Sequence, residues 1–300
     1  MKNKFSVILD MDTGIDDAVA LITACAQKEL DIQLITCCFG NTTLKNSVTN
    51  TLTVLELLNR TDIPVCIGES KALNSNLEHI SAHGINGLGG YSKPISTKAI
   101  TINYLDKMHE IVSKNSLTYI IACGPYTNIA KYIKTYPQDI SKIKLIAVTA
   151  ANYVDKKNPY LNFNIHIDID SFKYVLANLP NIIFCTSDMG HKVYIPTSEI
   201  CKTGKYGTIG KFLETIYPYH KDRTVKDGVA LHDACGVVWL TCPNLFKISY
   251  AKAQFKTNKN GVEYLDFNYS SKKPNTIVTT DINIKKFNKW YYKSLKILNK

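Results

Sequence analysis

Arginine is nearly missing from this chain. Of its 36 basic residues only Arg60 and Arg223 are arginine. The formal net charge of +11 would otherwise invite a nucleic-acid partner. Recognition of bases and phosphates leans on the planar, bidentate guanidinium fork, so no nucleic-acid partner is expected. The lysines are spread along the chain, with mild density near the end. There Lys285, Lys286, Lys289, Lys293, Lys296 and Lys300 alternate with Phe287, Tyr291, Leu295 and Leu298 at helical spacing. That pattern predicts a packed helix with a solvated face. Long apolar runs are also missing. No segment reaches the roughly 20 residues of a membrane span, and the run at 5–9 is too short for a signal peptide. No membrane partner is expected. The nine cysteines contain no CxxC pair, and most lie in apolar, strand-like stretches. This fits reduced, buried thiols and a cytoplasmic location. Repeats, low-complexity tracts and Pro/Gly/Ser linkers are absent. At 300 residues and 45% apolar, the chain is read as a single domain covering 1–300.

What is present is led by Asp10-Met11-Asp12-Thr13-Gly14-Ile15-Asp16-Asp17. Four carboxylates fall within eight residues, directly after the apolar run Phe5-Ser6-Val7-Ile8-Leu9. That run reads as a buried strand, and Asp16-Asp17-Ala18-Val19-Ala20-Leu21 as the start of a helix. The acids therefore cluster at the C-terminal end of a strand, where open α/β sheets bind ligands. Four like charges this close repel and resist burial, so a cation or a dense hydrogen-bond network should hold them. Carboxylates without thiolate or imidazole partners suit a hard ion, Ca²⁺ or Mg²⁺, better than zinc.

Strand and helix patterns then alternate. Apolar strand-like runs occupy 32–39, 63–67, 117–122, 143–148 and 182–185, and 44–58 has a helical period. Two further strands are expected at 262–267 and 276–280, before the last helix. The predicted fold is α/β: an open, mostly parallel, Rossmann-like sheet with helices on both faces and a few extra strands near the C-terminus. Polar residues follow the strands. They include Asp10 and Asp12, then Asn41, then Cys123-Gly124, then Asn162-Phe163-Asn164, and finally His232-Asp233. In this architecture such groups converge on one crevice.

Together these residues resemble the inosine–uridine-preferring nucleoside hydrolase family. Six motifs occur in the family's order. They are D-x-D-x-G-x-D-D-A from Asp10 to Ala18; Gly40-Asn41; and His83-Gly84 followed by Gly87-Leu88. Gly124-Pro125-Tyr126-Thr127-Asn128 comes next, then Phe163-Asn164 with Asp168 opening a helix, and last His232-Asp233. The resemblance implies cleavage of the N-glycosidic bond of a ribonucleoside by water, giving ribose and free base in purine or pyrimidine salvage. It implies a Ca²⁺ ion held by Asp12, Asp17, Asp233 and the main-chain carbonyl of Cys123, with Asp12 also the general base. Asp16, Asn41 and Asn164 would hold the ribose hydroxyls. His232 would protonate or hydrogen-bond the departing base, and His83 would line the base pocket. The segment 217–227 before His232 would govern base preference, with Tyr219, His220 and Arg223 as its candidates. A homodimer or homotetramer is expected by analogy.

The chain departs from the family in one region. Members typically carry Glu two residues before the asparagine at 164, where this chain has Asn162. The stretch Asp155-Lys156-Lys157-Asn158-Pro159 also differs from the pattern that binds the 5′ end of the ribose. Weaker dependence on a free 5′-hydroxyl is therefore expected. Two alternatives compete with the hydrolase reading. One is a Ca²⁺-dependent nucleoside- or ribose-binding relative without turnover. The other is a haloacid-dehalogenase-type phosphatase, whose D-x-D-G-T signature has Thr and Gly in the opposite order from Thr13-Gly14.

Overall fold

The computed structural model describes residues 4–74, 82–149, 161–221 and 227–299. A nine-stranded sheet runs through its centre. In chain order the strands are β1 (Phe5–Met11), β2 (Leu30–Cys37), β3 (Val65–Ile67), β4 (Thr118–Ala122), β5 (Ile143–Val148) and β6 (Ile182–Cys185). A small antiparallel pair, β7 (Tyr194–Ile195) and β8 (Val229–Ala230), stands apart. The sheet resumes with β9 (Phe246–Thr257), β10 (Glu263–Asn268) and β11 (Thr276–Ile282). Its spatial order is β10-β9-β11-β6-β5-β4-β1-β2-β3. From β3 across to β11 every neighbouring pair is parallel, and β9 is antiparallel to both β11 and β10.

Both faces of the parallel part are covered. Along β1, Val7 and Leu9 join one apolar cluster while Ile8 joins another on the opposite side. This is why the parallel strands read as continuous apolar runs rather than as alternating ones. The helices Ile15–Cys25 and Ala234–Thr241 pack on the first face, and Tyr104–Lys114 and Thr127–Thr135 on the second. The last helix, Ile284–Leu298, buries Phe287, Trp290, Tyr291 and Leu295, as its spacing predicts. All nine cysteines are free thiols, six of them buried. Among the described residues no helix is long and apolar enough to cross a membrane.

Strands β5 and β6 fall where the sequence places them, and β10 and β11 lie within a residue or two of expectation. The sequence reading misses β9, the longest strand. Lys247, Lys252 and Lys256 point outward from it, and small Ala251 and Ala253 supply much of its buried side. A strand at the antiparallel end, half solvated and packed through alanines, leaves little apolar signal.

The order β3-β2-β1-β4-β5-β6 sets the location of the site. The winding of the chain reverses between β1 and β4, and their C-terminal ends open the crevice in which such sheets bind ligands.

Candidate active site

The site grows from the end of β1. Asp10 is fully buried within that strand, where its Oδ1 accepts from Thr36 Oγ1 and from Asn128 Nδ2 at 2.8 Å. The Asn128 side chain also bonds the Cys37 carbonyl and accepts the Glu69 N–H, so it ties the ends of β1, β2 and β3 together. The Asp10 carbonyl accepts the Cys123 N–H at 2.8 Å, which fixes the turn after β4. Burial pushes the Asp10 carboxyl up to about 6, against these hydrogen bonds.

Asp12 follows β1 directly and is also fully buried. Its Oδ2 accepts the Asn41 backbone N–H at 2.6 Å and its Oδ1 accepts Asn41 Nδ2 at 3.2 Å. The same amide reaches Asp17 Oδ2 at 2.9 Å, which also accepts the Gly14 N–H at 3.0 Å. Asn41, expected on the ribose, therefore also clamps two carboxylates in one orientation. Asp17 lies in the first turn of the helix Ile15–Cys25, where the exposed N–H groups favour negative charge. Its Oδ1 is buried and has no hydrogen-bond partner among the described residues. Asp233, just before the helix Ala234–Thr241, completes the group. Cys123 Sγ and one carboxylate oxygen each of Asp17 and Asp233 lie within 4.8 Å of one another.

These acids resist ionisation. Burial, followed by the charge of Asp16, pushes Asp17 up to about 7. Asp12 is raised well above the carboxylate range by burial and then by Asp17, and Asp233 by burial and then by Asp16. The Cys123 thiol is raised as well, by burial and by Asp233, so it stays protonated and makes a poor ligand. Its carbonyl accepts Asn164 Nδ2 and keeps a second lone pair.

On the other side, Asp16 diverges from Asp17. Its Oδ1 lies 3.8 Å from His83 Nδ1. His83 Nδ1 accepts the Ile15 N–H at 3.1 Å. A backbone N–H can only donate, so the neutral ring carries its proton on Nε2. His220 packs edge-on against His83, with ring centroids 4.9 Å apart. The Lys221 N–H donates to the Ala82 carbonyl at 2.8 Å, which latches this segment to the His83 loop. Tyr219, about half exposed, lies over Gly89. His232 is buried and packs against His191, with centroids 5.0 Å apart. Asn162 caps the short helix Phe163–His166 by accepting the Asn164 N–H at 2.8 Å. Asp168 caps the next helix and accepts from Thr127 and Ser171.

Of the residues expected in the site, Asp12, Asp16, Asp17, Asn41, His83, Cys123, Asn164 and Asp233 are thus linked by contacts at one crevice. Arg223 and the 155–159 stretch lie outside the described residues. The bridging role of Asn128 and the contact of His191 with His232 were not read from the sequence. Asn128 could be seen only as a helix-opening residue, and His191 carries no motif.

The profile of the inosine-uridine preferring nucleoside hydrolases matches residues 7–289. The chain belongs to this family. The pyrimidine-specific ribonucleoside hydrolase RihA of Escherichia coli O81 (strain ED1a) is 33% identical over 294 residues, covering 92% of this chain and 93% of that protein. A plant nucleoside hydrolase, PpNRh1, superposes with a TM-score of 0.88 at 26% identity, over 97% of this chain and 99% of that one. The purine-preferring ribonucleoside hydrolase from Gardnerella vaginalis shares the fold, with a TM-score of 0.88 at 22% identity over 98% and 99% of the two chains. Membership in the nucleoside hydrolase family sets the phosphatase alternative aside.

Proposed function

We propose that this nucleoside hydrolase cleaves the N-glycosidic bond of ribonucleosides in a Ca²⁺-dependent reaction with Asp12 as general base. The observation that carries the reading is three buried acids held close together, Asp12 tied to Asp17 through Asn41 and Asp17 beside Asp233, with Asp17 Oδ1 lacking a hydrogen-bond partner among the described residues. Burying three carboxylates together is costly unless a cation neutralises them. Three carboxylates and the Cys123 carbonyl would offer such an ion an all-oxygen set, which suits a hard cation. When bound, Ca²⁺ would polarise a water molecule and orient the ribose diol.

The residues of the chain do the rest. Asn41 holds the Asp12 carboxylate with two hydrogen bonds, so its orientation is set before substrate arrives. Asp12 takes a proton from the attacking water, whose oxygen bonds to the anomeric carbon as the bond to the base nitrogen breaks. The carboxylates stabilise the positive charge that develops on the sugar. With Asn164 Nδ2 engaged on Cys123, Asn164 Oδ1 remains to accept a ribose hydroxyl, and Asp16 accepts another. His232 supplies a proton or hydrogen bond to the departing base. His83, a fixed Nε2–H donor, lines the base side together with Tyr219.

Pyrimidine ribonucleosides are the first substrates to test, because a relative at 33% identity carries that specificity in its name. Release of free base from uridine, cytidine and inosine, with and without chelator, tests the reading. Base release that needs Ca²⁺ supports it. Binding of nucleosides without release of base identifies a non-hydrolytic relative instead.

A further inference from the structure

Asp16 and Asp17 are neighbours on one helix turn but face different chemistries. Asp17 lies with Asp233 and Cys123. Asp16 joins two imidazoles: one ligand-capable atom each of Asp16, His83 and His220 lies within 4.8 Å of the others. We infer that Asp16, His83 and His220 form a second metal site, selective for Zn²⁺, Co²⁺ or Ni²⁺, whose occupation blocks the nucleoside pocket.

Two neutral imidazoles and one carboxylate suit borderline first-row ions and do not suit Ca²⁺. The distances fit. Zn–N and Zn–O bonds of about 2.0–2.2 Å place two donors up to roughly 4 Å apart on one ion. His83 Nδ1 and Asp16 Oδ1 are 3.8 Å apart, so an ion can bridge them from slightly off their line. Binding at Nδ1 has to displace the buried Ile15 N–H, a cost the ion must offset, and the proton stays on Nε2. The third ligand is already in place, because the Lys221-to-Ala82 hydrogen bond holds His220 against the His83 loop. Half-buried His220 gives the ion a route in, while Asp16 and His83 are buried.

Charge favours the ion. The N-terminus of the helix Ile15–Cys25 opposes a cation by about half a charge. Asp12, Asp16, Asp17 and Asp233 together retain an excess of negative charge even beside one divalent ion. An ion here would tie the 217–221 segment to the His83 loop. It would also take Asp16 and His83 away from the substrate.

The test uses the full chain loaded with Ca²⁺ and titrated with Co²⁺, read by visible absorption, and with Zn²⁺, read by competition with a chromophoric chelator. We expect one Co²⁺ per chain with bands of a low-coordinate nitrogen–oxygen site and no release of Ca²⁺. His220→Ala and His220→Gln should weaken binding by at least the roughly 10–100-fold that loss of a supporting partner costs at metal sites. Asp16→Asn should weaken it as well. Inhibition of base release by Zn²⁺ should be competitive with nucleoside and should relax in the same proportion in the His220 variants. Absence of binding, binding that expels Ca²⁺, or affinity unchanged by both His220 variants would overturn the inference. The binding measurements need no turnover, so they stand or fall separately from the proposed hydrolase activity.

Discussion

Gly40 is the most revealing residue to perturb, because it touches the proposed base without taking part in any chemistry. Its φ is +151°, and a Cβ placed there would lie 2.0 Å from Asp12 Oδ2 and 2.8 Å from Asp12 Cγ. Real Cβ contacts do not fall below 3.0 Å. Gly40→Ala must therefore push the Asp12 carboxylate aside by about 1 Å, and misplacement on that scale costs on the order of 10²-fold in rate. The backbone adds strain of roughly 1–3 kcal/mol at such a dihedral, which lowers thermal stability. We expect kcat for base release to fall about 100-fold at saturating Ca²⁺. Gly261→Ala separates strain from displacement. Gly261 also has positive φ, +78°, but nothing lies within 4 Å of the added Cβ. It should lose some stability and keep its rate. A Gly40→Ala enzyme as fast as the parent at matched Ca²⁺ occupancy would show that the position of Asp12 does not limit the reaction.

Removing Ca²⁺ should abolish base release and lower the Tm, since an ion at about 100 times its Kd contributes roughly 2.7 kcal/mol to the folded state. Zn²⁺ should not restore activity; recovery with Zn²⁺, or full activity after verified chelation, would contradict the oxygen-only site. The chelated protein should also respond to pH in a defined direction. Asp17 sits at about 7 when folded and near the usual ~3.9 when unfolded. The folded state holds the extra proton across that window, so stability falls as pH rises through it and the Tm of the chelated protein should climb on acidification. A Tm that drops as the pH is lowered from about 7 to 5 would refute this sign. 2′-Deoxynucleosides should be poorer substrates than ribonucleosides by roughly 10⁴, because a site built for a hydroxyl leaves buried polar groups unpaired without it; comparable kcat/KM values would remove Asp16 and Asn164 from sugar recognition. Loss of the 5′-hydroxyl should matter less than in typical relatives, because Asn162 replaces an acid and uses its Oδ1 to cap its own helix. A steep loss with 5′-deoxyuridine would show an intact 5′ contact elsewhere.

Much of this molecule is legible in its sequence, for identifiable reasons. Parallel strands buried on both faces leave uninterrupted apolar runs, so β5 and β6 can be bounded by eye. The strand-end rule then turns separated polar residues into one site, since Asp12, Cys123 and Asp233 follow β1, follow β4 and precede a helix. What escapes is tertiary. Strand β9 is half solvated, and two of its buried positions are the small Ala251 and Ala253. Gly40 reads as an ordinary turn after a strand, and only in the folded chain does the Asp12 carboxylate occupy the space a side chain would need. The partnership of His220 with Asp16 and His83 joins residues some 140 to 200 positions apart in the chain, through a hydrogen bond between main-chain atoms that no side-chain pattern encodes.

The central claim, that Asp12 is the general base in a Ca²⁺-dependent ribonucleoside hydrolase, is tested most directly by single-turnover release of base from uridine and inosine. The measurement compares the parent with Asp12→Asn, both shown to bind Ca²⁺ and nucleoside. An amide can still offer oxygen to the metal but cannot accept a proton from water at neutral pH. The account predicts that the chemical step slows by about 10²–10⁴-fold. An Asp12→Asn enzyme that releases base at the parent's single-turnover rate would contradict it.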